Sequence, residues 1–155
     1  YDNTDANLYG AEMQAAYVLT DLFSLYGDAE WVRGSKDRND LIRDRDLAEM
    51  PPLHGRVGLR LKKEKSFYAE VEGEFADDQN RVDSDLNETQ TSSWSIANLR
   101  MGGNITEDIK LDAGVRNIFD RNYSTHLSYL RNPFSSGVRM VEPGRSFYLK
   151  LTARF

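Results

Sequence analysis

The sequence predicts an all-β fold, an antiparallel sheet of about seven strands that forms a segment of a transmembrane β-barrel. Three features support this fold class. Apolar and polar residues alternate in successive segments, the links between segments alternate between short and long, and aromatic residues recur eight positions apart on the apolar side. Because successive strand side chains point to opposite faces, the alternation gives every predicted strand one apolar and one polar face.

The last twelve residues, GRSFYLKLTARF, show the alternation most clearly, with Phe147, Leu149 and Leu151 on one face. The same pattern predicts six further strands, whose apolar faces run over residues 9–19, 23–31, 57–61, 67–75, 97–101 and 109–115. The strand around residues 93–103 is less regular, because Trp94 and Ile96 lie in the opposite phase. A β-bulge and a misassigned strand are the alternatives there.

The links between the predicted strands fall into two length classes. Short links are expected at residues 20–21, 62–66 and 103–107, and long polar links at about 34–53, 77–92 and 120–143. A soluble β-sandwich has no reason to collect its short turns at one end, whereas outer-membrane barrels do so systematically. The C-terminal strand is then expected to end on the short-turn side.

The aromatic spacing matches the thickness of a membrane. Eight residues of strand span roughly 26 Å, and a tilt of about 40° leaves ~20 Å along the barrel axis, close to the ~25 Å apolar band of such barrels. The spacing therefore predicts two membrane-interface girdles, and a curved sheet packed on a soluble core is the alternative. The predicted interface residues are Tyr9, Tyr17, Phe23, Trp31, Phe67, Phe75, Phe147 and Phe155.

Composition excludes several classes of protein. The chain has 155 residues, 39% hydrophobic and 29% charged, with a mean hydropathy of -0.64. It contains no run of about 18 apolar residues, which excludes helical membrane spans. The absence of cysteine from the sequence excludes disulfides, thiol catalysis and zinc–thiolate sites. A net charge of -5 argues against nucleic-acid binding.

Neither catalysis nor a bound cofactor is expected. The two histidines have no Ser and Asp placed with them in a recognisable catalytic constellation, so an outer-membrane protease or lipase is disfavoured. No resident metal centre is expected either, because no metal-ligand spacing in the sequence is diagnostic.

The polar face is expected to carry ladders of opposite charges. If the hairpin near residues 63–67 pairs Lys62 with Tyr68, then Arg60 faces Glu70, and Arg56 faces Glu74, each pair contributing about 0.2–1 kcal/mol. We interpret these ladders as scaffold rather than as a transport path. The charged residues assigned to this face are Glu12, Asp28, Glu30, Arg56, Arg60, Glu70, Glu72, Glu74, Arg100, Lys110, Asp112, Arg116, Lys150 and Arg154.

Seven strands alone are too few to close a barrel around a lumen lined by these charged residues. The chain is therefore expected to be the end of a longer barrel. It resembles the TonB-dependent outer-membrane receptors in four stretches that follow the family's order. These stretches are NLYGAEMQAAY, MPPLHGRVGLRL, GVRNIFDRNYSTHL and EPGRSFYLKLTARF. The resemblance spans the whole chain. It implies a 22-stranded plugged barrel of which residues 1–155 supply the C-terminal third, with the plug domain and the upstream strands absent.

The resemblance also implies a function and a location. The expected function is active uptake of a metal chelate, with a ferric siderophore as the leading substrate, in the outer membrane of a Gram-negative bacterium. Alternatives are a receptor for copper, zinc or heme, a passive porin-like barrel, or a soluble β-sheet interaction domain. The implied partners are outer-membrane lipid, the rest of the barrel and the plug, the TonB energy-coupling protein through the absent N-terminal part, and the metal chelate.

The barrel-assembly machinery is a further implied partner. An alternating last strand that ends in an aromatic residue resembles the signal which that machinery recognises in such barrels. The residues of this expected signal are Phe147, Leu149, Leu151 and Phe155. An interface anchor with no role in assembly is the alternative for Phe155.

The longest loop, DRNYSTHLSYLRNPFSSGVRMVEPGR, contains the candidate ligand-binding residues His126, Tyr129, Arg131 and Arg139. Arginine offers rigid donors to carboxylate or catecholate oxygens, and histidine can bind a metal directly. His126 together with Met140 also suggests a copper site. The alternative to all of these roles is a solvated loop.

One further motif imitates the start of a calcium-binding loop. Asp83, Asp85 and Asn87 have the spacing of such a loop, but Glu88 stands where its sharp turn requires glycine. The sequence therefore predicts a hydrated loop at this position and no calcium site.

Overall fold

The computed structural model describes residues 5–37, 44–63, 67–132 and 135–154. Its strands are β1 (Ala6–Val18), β2 (Phe23–Lys36), β3 (His54–Lys63), β4 (Phe67–Ala76), β5 (Trp94–Asn104), β6 (Ile109–Arg116), β7 (Tyr129–Asn132), β8 (Ser135–Arg139) and β9 (Ser146–Ala153). A 3₁₀ helix spans Ser84–Leu86. Within the described ranges, no helix is long and apolar enough to span a bilayer.

Seven of the strands form one antiparallel sheet in the order β1-β2-β3-β4-β5-β6-β9, and β7 pairs separately with β8. Each strand of the large sheet lies beside the next one along the chain, apart from the inserted β7–β8 hairpin. This up-and-down order is that of a barrel wall. It confirms the predicted all-β class and the seven-stranded sheet.

Neighbouring strands pair in the same phase throughout the sheet. Odd-numbered residues lie opposite odd-numbered residues in each of its six ladders, as Val71 does with Leu99 and Leu111 with Leu151. One face of the whole sheet therefore carries the odd-numbered strand residues, and we call it the outer face. The inner face carries the even-numbered residues.

The outer face is apolar and exposed, whereas the inner face buries polar groups. Met13 on the outer face is 67% exposed and Phe147 is 73% exposed. On the inner face, Glu70 and Glu72 are buried. A sheet folded in water buries its apolar face, so this arrangement is the reverse of a soluble one. It does not support the alternative of a soluble β-sheet interaction domain.

Seven of the eight predicted interface aromatics lie on the outer face. Trp31 is partly exposed, and its ring meets the ring of Tyr9 edge-on with centroids 5.7 Å apart. Phe155 lies outside the described residues. The contact of these side chains with a membrane interface stays a prediction. The remaining six are exposed: Tyr9, Tyr17, Phe23, Phe67, Phe75 and Phe147.

The irregular fifth strand is genuine and contains no bulge. β5 pairs with β4 without interruption from Trp94 opposite Ala76 to Gly103 opposite Phe67. Ile96 is buried on the inner face, and the ring of Trp94 lies 4.5 Å from that of Tyr123. The phase change in the sequence arises because Tyr123, which follows β6 in the chain, covers this end of the inner face. The β5 side chains beneath it are therefore apolar.

The links separate into short and long classes at opposite ends of the sheet, as the sequence predicts. Short links connect the strands at 19–22 and 105–108, and only three residues separate the end of β3 from the start of β4. The long links are loop A (37–53), loop B (77–93) and loop C (117–145). Loop C contains the β7–β8 hairpin, which the sequence analysis missed because its residues do not alternate.

In two inner-face rows, a tyrosine reaches across a glycine and its hydroxyl donates to an acid on the strand beyond. Tyr26 lies opposite Gly58, which in turn lies opposite Glu72, and the Tyr26 hydroxyl crosses the glycine to donate to the Glu72 carboxylate at 2.6 Å. Tyr68 crosses Gly102 in the same way. Its hydroxyl donates to Asp112 at 2.8 Å, which links β4 to β6 over β5. Each row ties three strands together.

Replacing Gly58 by alanine is expected to lower the free energy of unfolding of the complete receptor by about 1–3 kcal/mol, the usual cost of overpacking. A Cβ at this position would lie 2.3 Å from the Tyr26 ring, so the ring must move and release Glu72. Thermal unfolding in detergent measures the effect. Gly73→Ala is the matched control, because its Cβ would meet nothing closer than 4.0 Å. Equal melting temperatures for the two variants would contradict the expectation.

Candidate functional site

The inner face carries a charge network formed by Arg60, Glu70, Glu72 and Arg100. The Glu70 side chain is 2% exposed and lies 2.5 Å from Arg60 and 2.7 Å from Arg100. Arg100 also contacts Glu72 at 2.7 Å. The register places Lys62 opposite Tyr68 and Arg60 opposite Glu70, which confirms the predicted pairing of this hairpin.

The predicted contact between Arg56 and Glu74 does not form, although the two residues lie opposite each other. Arg56 also lies opposite Asp28 on its other side, and its guanidinium donates to that carboxylate at 2.5 Å. Glu74 instead accepts a hydrogen bond from Asn98 at 2.5 Å and lies 3.7 Å from Arg116. Arg56 thus has an acidic residue opposite it on each neighbouring strand, and it pairs with Asp28.

Loop B folds into a capped turn around the calcium-like motif. The Asp83 carboxylate accepts from the Asp85 N–H at 3.1 Å, and the Asp83 N–H donates to Glu88 at 2.7 Å. Asn87 adopts the left-handed conformation, with φ of 56°, that ends the 3₁₀ helix. The expected hydrated loop is wrong for Asp83, which is buried beneath Lys36 with its carboxylate 2.5 Å from the ammonium.

Glu88 joins the three long loops to one another. It accepts the Glu49 N–H of loop A at 2.8 Å, the Asp83 N–H of its own loop B, and a ring nitrogen of His126 from loop C at 3.1 Å. Loop A is held further by Ser84, whose hydroxyl donates to Asp44 at 2.8 Å. These contacts form what we call the loop cluster.

His126 is almost completely enclosed in the loop cluster, its side chain 1% exposed. Its Nε2 faces the Glu88 carboxylate, and its Nδ1 lies 2.8 Å from the Thr91 hydroxyl. An ionised carboxylate only accepts hydrogen bonds, so Nε2 carries the proton and Nδ1 accepts from Thr91. Burial lowers the pKa of His126, and Arg139 lowers it further, against the opposing effects of Glu88 and Glu49.

The other candidate ligand residues occupy different positions. Arg139 donates to the carbonyl oxygens of Thr125, His126 and Thr89 at 3.2, 2.7 and 2.8 Å, which fastens loop C to loop B. Tyr129 and Arg131 lie in β7, and their side chains are outside the described part of the structure. A role for these residues in ligand binding stays a prediction.

The structure thus brings His126 and Arg139 together, but with Glu88 and Thr91, which the sequence analysis did not select for this role. The one available signal was the acidic motif around Asp83, which marks a tightly capped turn. The described ranges contain no group of three or more His, Asp or Glu side chains placed to hold a metal ion. For copper to bind His126, the ring would first have to break its hydrogen bond with Thr91 or with Glu88.

Acidification is expected to loosen the loop cluster. The ordinary pKa of a histidine is about 6.5, and that of His126 is lower in the closed cluster, so an open cluster takes up a proton that the closed one does not. The stability that neutral His126 gives to the closed loop cluster is therefore fully present above about pH 6.5. It is lost as the pH falls towards the lowered pKa of His126. Limited proteolysis of the complete receptor across this range measures the opening.

The two histidines of the chain provide the control for this pH dependence. His126→Asn is expected to remove most of the change in proteolysis between pH 7.5 and 5.5, and His54→Asn to leave it intact. His54 begins β3 and lies 3.5 Å from Glu30, outside the loop cluster. A change that persists in His126→Asn would assign the effect to other groups.

Comparison with known proteins places this barrel wall in a family. The family described as TonB dependent receptor-like, beta-barrel matches residues 1–118. The structure is similar to the copper transporter OprC, with 28% identity and a TM-score of 0.86 over 99% of this chain and 25% of that one. A search of curated proteins gives no match.

Two further solved structures share the fold. The ferric citrate transporter FecA is 20% identical with a TM-score of 0.78, over 98% of this chain and 25% of that one. The ferric yersiniabactin uptake receptor FyuA from Yersinia pestis is 17% identical with a TM-score of 0.76, over 98% of this chain and 24% of that one. The chain spans about a quarter of the length of these proteins. Members of the family are transport receptors rather than enzymes. The chain therefore belongs to the TonB-dependent receptor family, as a segment of its β-barrel.

Proposed function

We propose that this chain is the C-terminal part of the barrel of an outer-membrane receptor that imports a metal chelate, with a ferric siderophore as its substrate. The supporting observation is the inside-out sheet, whose outer face exposes apolar residues while its inner face buries charges such as Glu70. The receptor works by binding and gated passage, without a covalent step. The remaining barrel strands, the plug and the contact with TonB belong to the rest of the receptor.

The loop cluster faces the outside of the cell in this proposal. Barrels of this kind keep their short turns in the periplasm and their long loops outside. Loops A, B and C share one end of the sheet, opposite the short links. A substrate that arrives from the medium therefore meets the loop cluster first.

The chemistry of loop C supports an anionic chelate. Arg131 and Arg139 offer planar sets of N–H donors that suit carboxylate and catecholate oxygens. Arg139 already donates to loop carbonyls, so its proposed role is to hold loop C in place while Arg131 and Tyr129 contact the chelate. The attraction between these cations and an anionic chelate is expected to fall with salt, because ions screen charges within about 8–10 Å.

Copper is a second candidate substrate. It is favoured by the 28% identity and the TM-score of 0.86 to OprC, whereas the similarity to FecA and FyuA is informative for the fold alone. Met140 in loop C is 50% exposed and offers the thioether that copper(I) prefers. Zinc and heme have no comparable support.

Uptake by living cells decides between these functions. A strain that lacks the receptor gene is complemented with the complete gene, and the accumulation of labelled iron from ferric siderophores is compared with that of labelled copper. Restored iron uptake that disappears on collapse of the proton gradient supports the first proposal. Restored copper uptake alone supports the second. Uptake of small neutral sugars that survives collapse of the gradient would show a passive barrel and contradict both.

A further inference from the structure

The inner face of β3 to β6 contains a pocket of about 280 Å³ whose lining is mostly cationic. It lies in the half of the sheet nearer the short links, since Lys62 is next to the last residue of β3 and Lys110 is the second residue of β6. The pocket is far along the wall from the loop cluster. Its lining consists of Arg60, Lys62, Tyr68, Glu70, Arg100 and Lys110.

Four of the lining residues are cationic and one is a carboxylate, in a chain with a net charge of -5. Two acids beside the pocket reduce this excess, because Glu72 contacts Arg100 and Asp112 lies 3.0 Å from Lys110. In the described part of the chain, no carboxylate lies within ion-pair distance of Lys62. The pocket therefore keeps a positive balance after its own ion pairs are counted.

Hydrogen-bond donors also outnumber acceptors in the pocket. Arg60 directs both its Nε and its Nη2 at a single oxygen of Glu70. Arg100 makes its contacts through Nη2, and its Nε is buried without an acceptor among the described residues. A guanidinium carries five N–H donors and no acceptor, and a buried donor without a partner is costly. An incoming oxyanion would supply the missing acceptors.

The cations are held in place yet remain accessible. Lys110 lies over the Tyr68 ring at 5.6 Å from its centroid, and Arg60 lies over the Tyr26 ring at 5.5 Å. Both tyrosines are fixed across glycines by their bonds to acids on the strand beyond. The side chains of Arg60 and Lys110 are still about half exposed, at 49% and 46%. The donors are thus preorganised and open to a ligand from the lumen.

We propose that this basic pocket binds an oxyanion, a carboxylate or a catecholate, inside the barrel. The inference rests on the proposed function and extends it, because an anionic chelate released from the loop cluster meets a second contact on its way towards the short-turn end. The oxyanion can come from two sources, the imported substrate or an acidic side chain elsewhere in the receptor. Both use the same donors.

Lysine acetylation in the complete receptor tests the proposal, with citrate as the probe. Citrate is expected to slow the acetylation of Lys62 and Lys110 relative to Lys63, the adjacent lysine on the outer face, when modification is followed by mass spectrometry. Lys62→Gln is expected to weaken citrate binding by about tenfold, as loss of a charge-assisted contact does, and Lys63→Gln to leave it unchanged. Heat-modified gel mobility confirms that both variants fold.

The outcomes separate the two sources. Protection that depends on added citrate supports a substrate oxyanion. Protection without citrate, together with a carbodiimide cross-link from Lys62 to an acidic residue elsewhere in the receptor, supports an internal carboxylate. Equal acetylation of Lys62 and Lys63 with and without citrate would overturn the proposal. Protection by citrate in a receptor that imports no iron chelate would uphold the pocket while contradicting the proposed substrate.

Discussion

Replacing Glu70 by alanine is expected to lower the free energy of unfolding of the complete receptor by about 2–3 kcal/mol. The Glu70 side chain is 2% exposed and contacts both Arg60 and Arg100. Removing one partner of a buried ion pair costs about 3–5 kcal/mol, because the other charge is left without compensation. The loss is smaller here because Arg60 and Arg100 are 49% and 38% exposed and can turn towards water.

Urea unfolding of the barrel in lipid vesicles measures this loss. Glu12→Ala is the control, because Glu12 is an exposed carboxylate on the same face and lies opposite another acid, Glu30. Its removal relieves repulsion, so stability is expected to stay the same or to rise slightly. A Glu70→Ala barrel as stable as Glu12→Ala would show that the inner charge network does not hold the wall together.

Replacing Glu88 by alanine is expected to weaken the attachment of loops A and C to loop B while the barrel itself stays folded. The change removes the acceptor of two backbone N–H groups, those of Glu49 and Asp83, and of the His126 ring. Hydrogen bonds to a charged acceptor contribute about 1.5–3 kcal/mol each. Hydrogen exchange at the Glu49 amide is therefore expected to accelerate by about thirtyfold, which corresponds to a loss of about 2 kcal/mol.

Glu142→Ala is the matched control for this change. The Glu142 carboxylate accepts a hydrogen bond from the Thr125 hydroxyl at 3.1 Å, and both residues belong to loop C. Exchange at Glu49 is expected to be unchanged in this variant, and the barrel melting temperature to be the same in both. Equal exchange at Glu49 in both variants would mean that Glu88 does not couple the loops.

The wall of this protein could be predicted from the sequence because one repeating constraint governs it. In an outer-membrane barrel, residues on the lipid side are apolar and their neighbours on the inner side are polar, so the period of two appears directly in the sequence. Only three residues separate β3 from β4, which leaves few possible registers for the pair, and this is why the pairing of Arg60 with Glu70 was predicted correctly. The choice of Arg56 between Asp28 and Glu74 was not predictable, because it depends on a rotamer rather than on register.

The loop cluster was not predictable for a different reason. Its contacts join residues far apart in sequence, 38 positions for His126 with Glu88 and 50 for Arg139 with Thr89. No periodicity relates such residues, and each segment on its own has the composition of a solvated loop. Residue types alone therefore suggested ligand contacts for His126 and Arg139, whereas the structure gives them partners in neighbouring loops.

The tyrosines that cross Gly58 and Gly102 are expected to resist sliding of neighbouring strands past one another. Such sliding is the movement by which the barrel wall would have to widen. Sliding β2 along β3 by two residues would drive the Tyr26 ring into Arg56 or Arg60 instead of into a groove without a side chain. The second row, from Tyr68 to Asp112, blocks the same movement between β4 and β6. Strands β2 to β6 are therefore expected to move together as one rigid unit. In the proposed receptor, passage of a substrate would then require movement of the parts that fill and cover the barrel rather than expansion of its circumference.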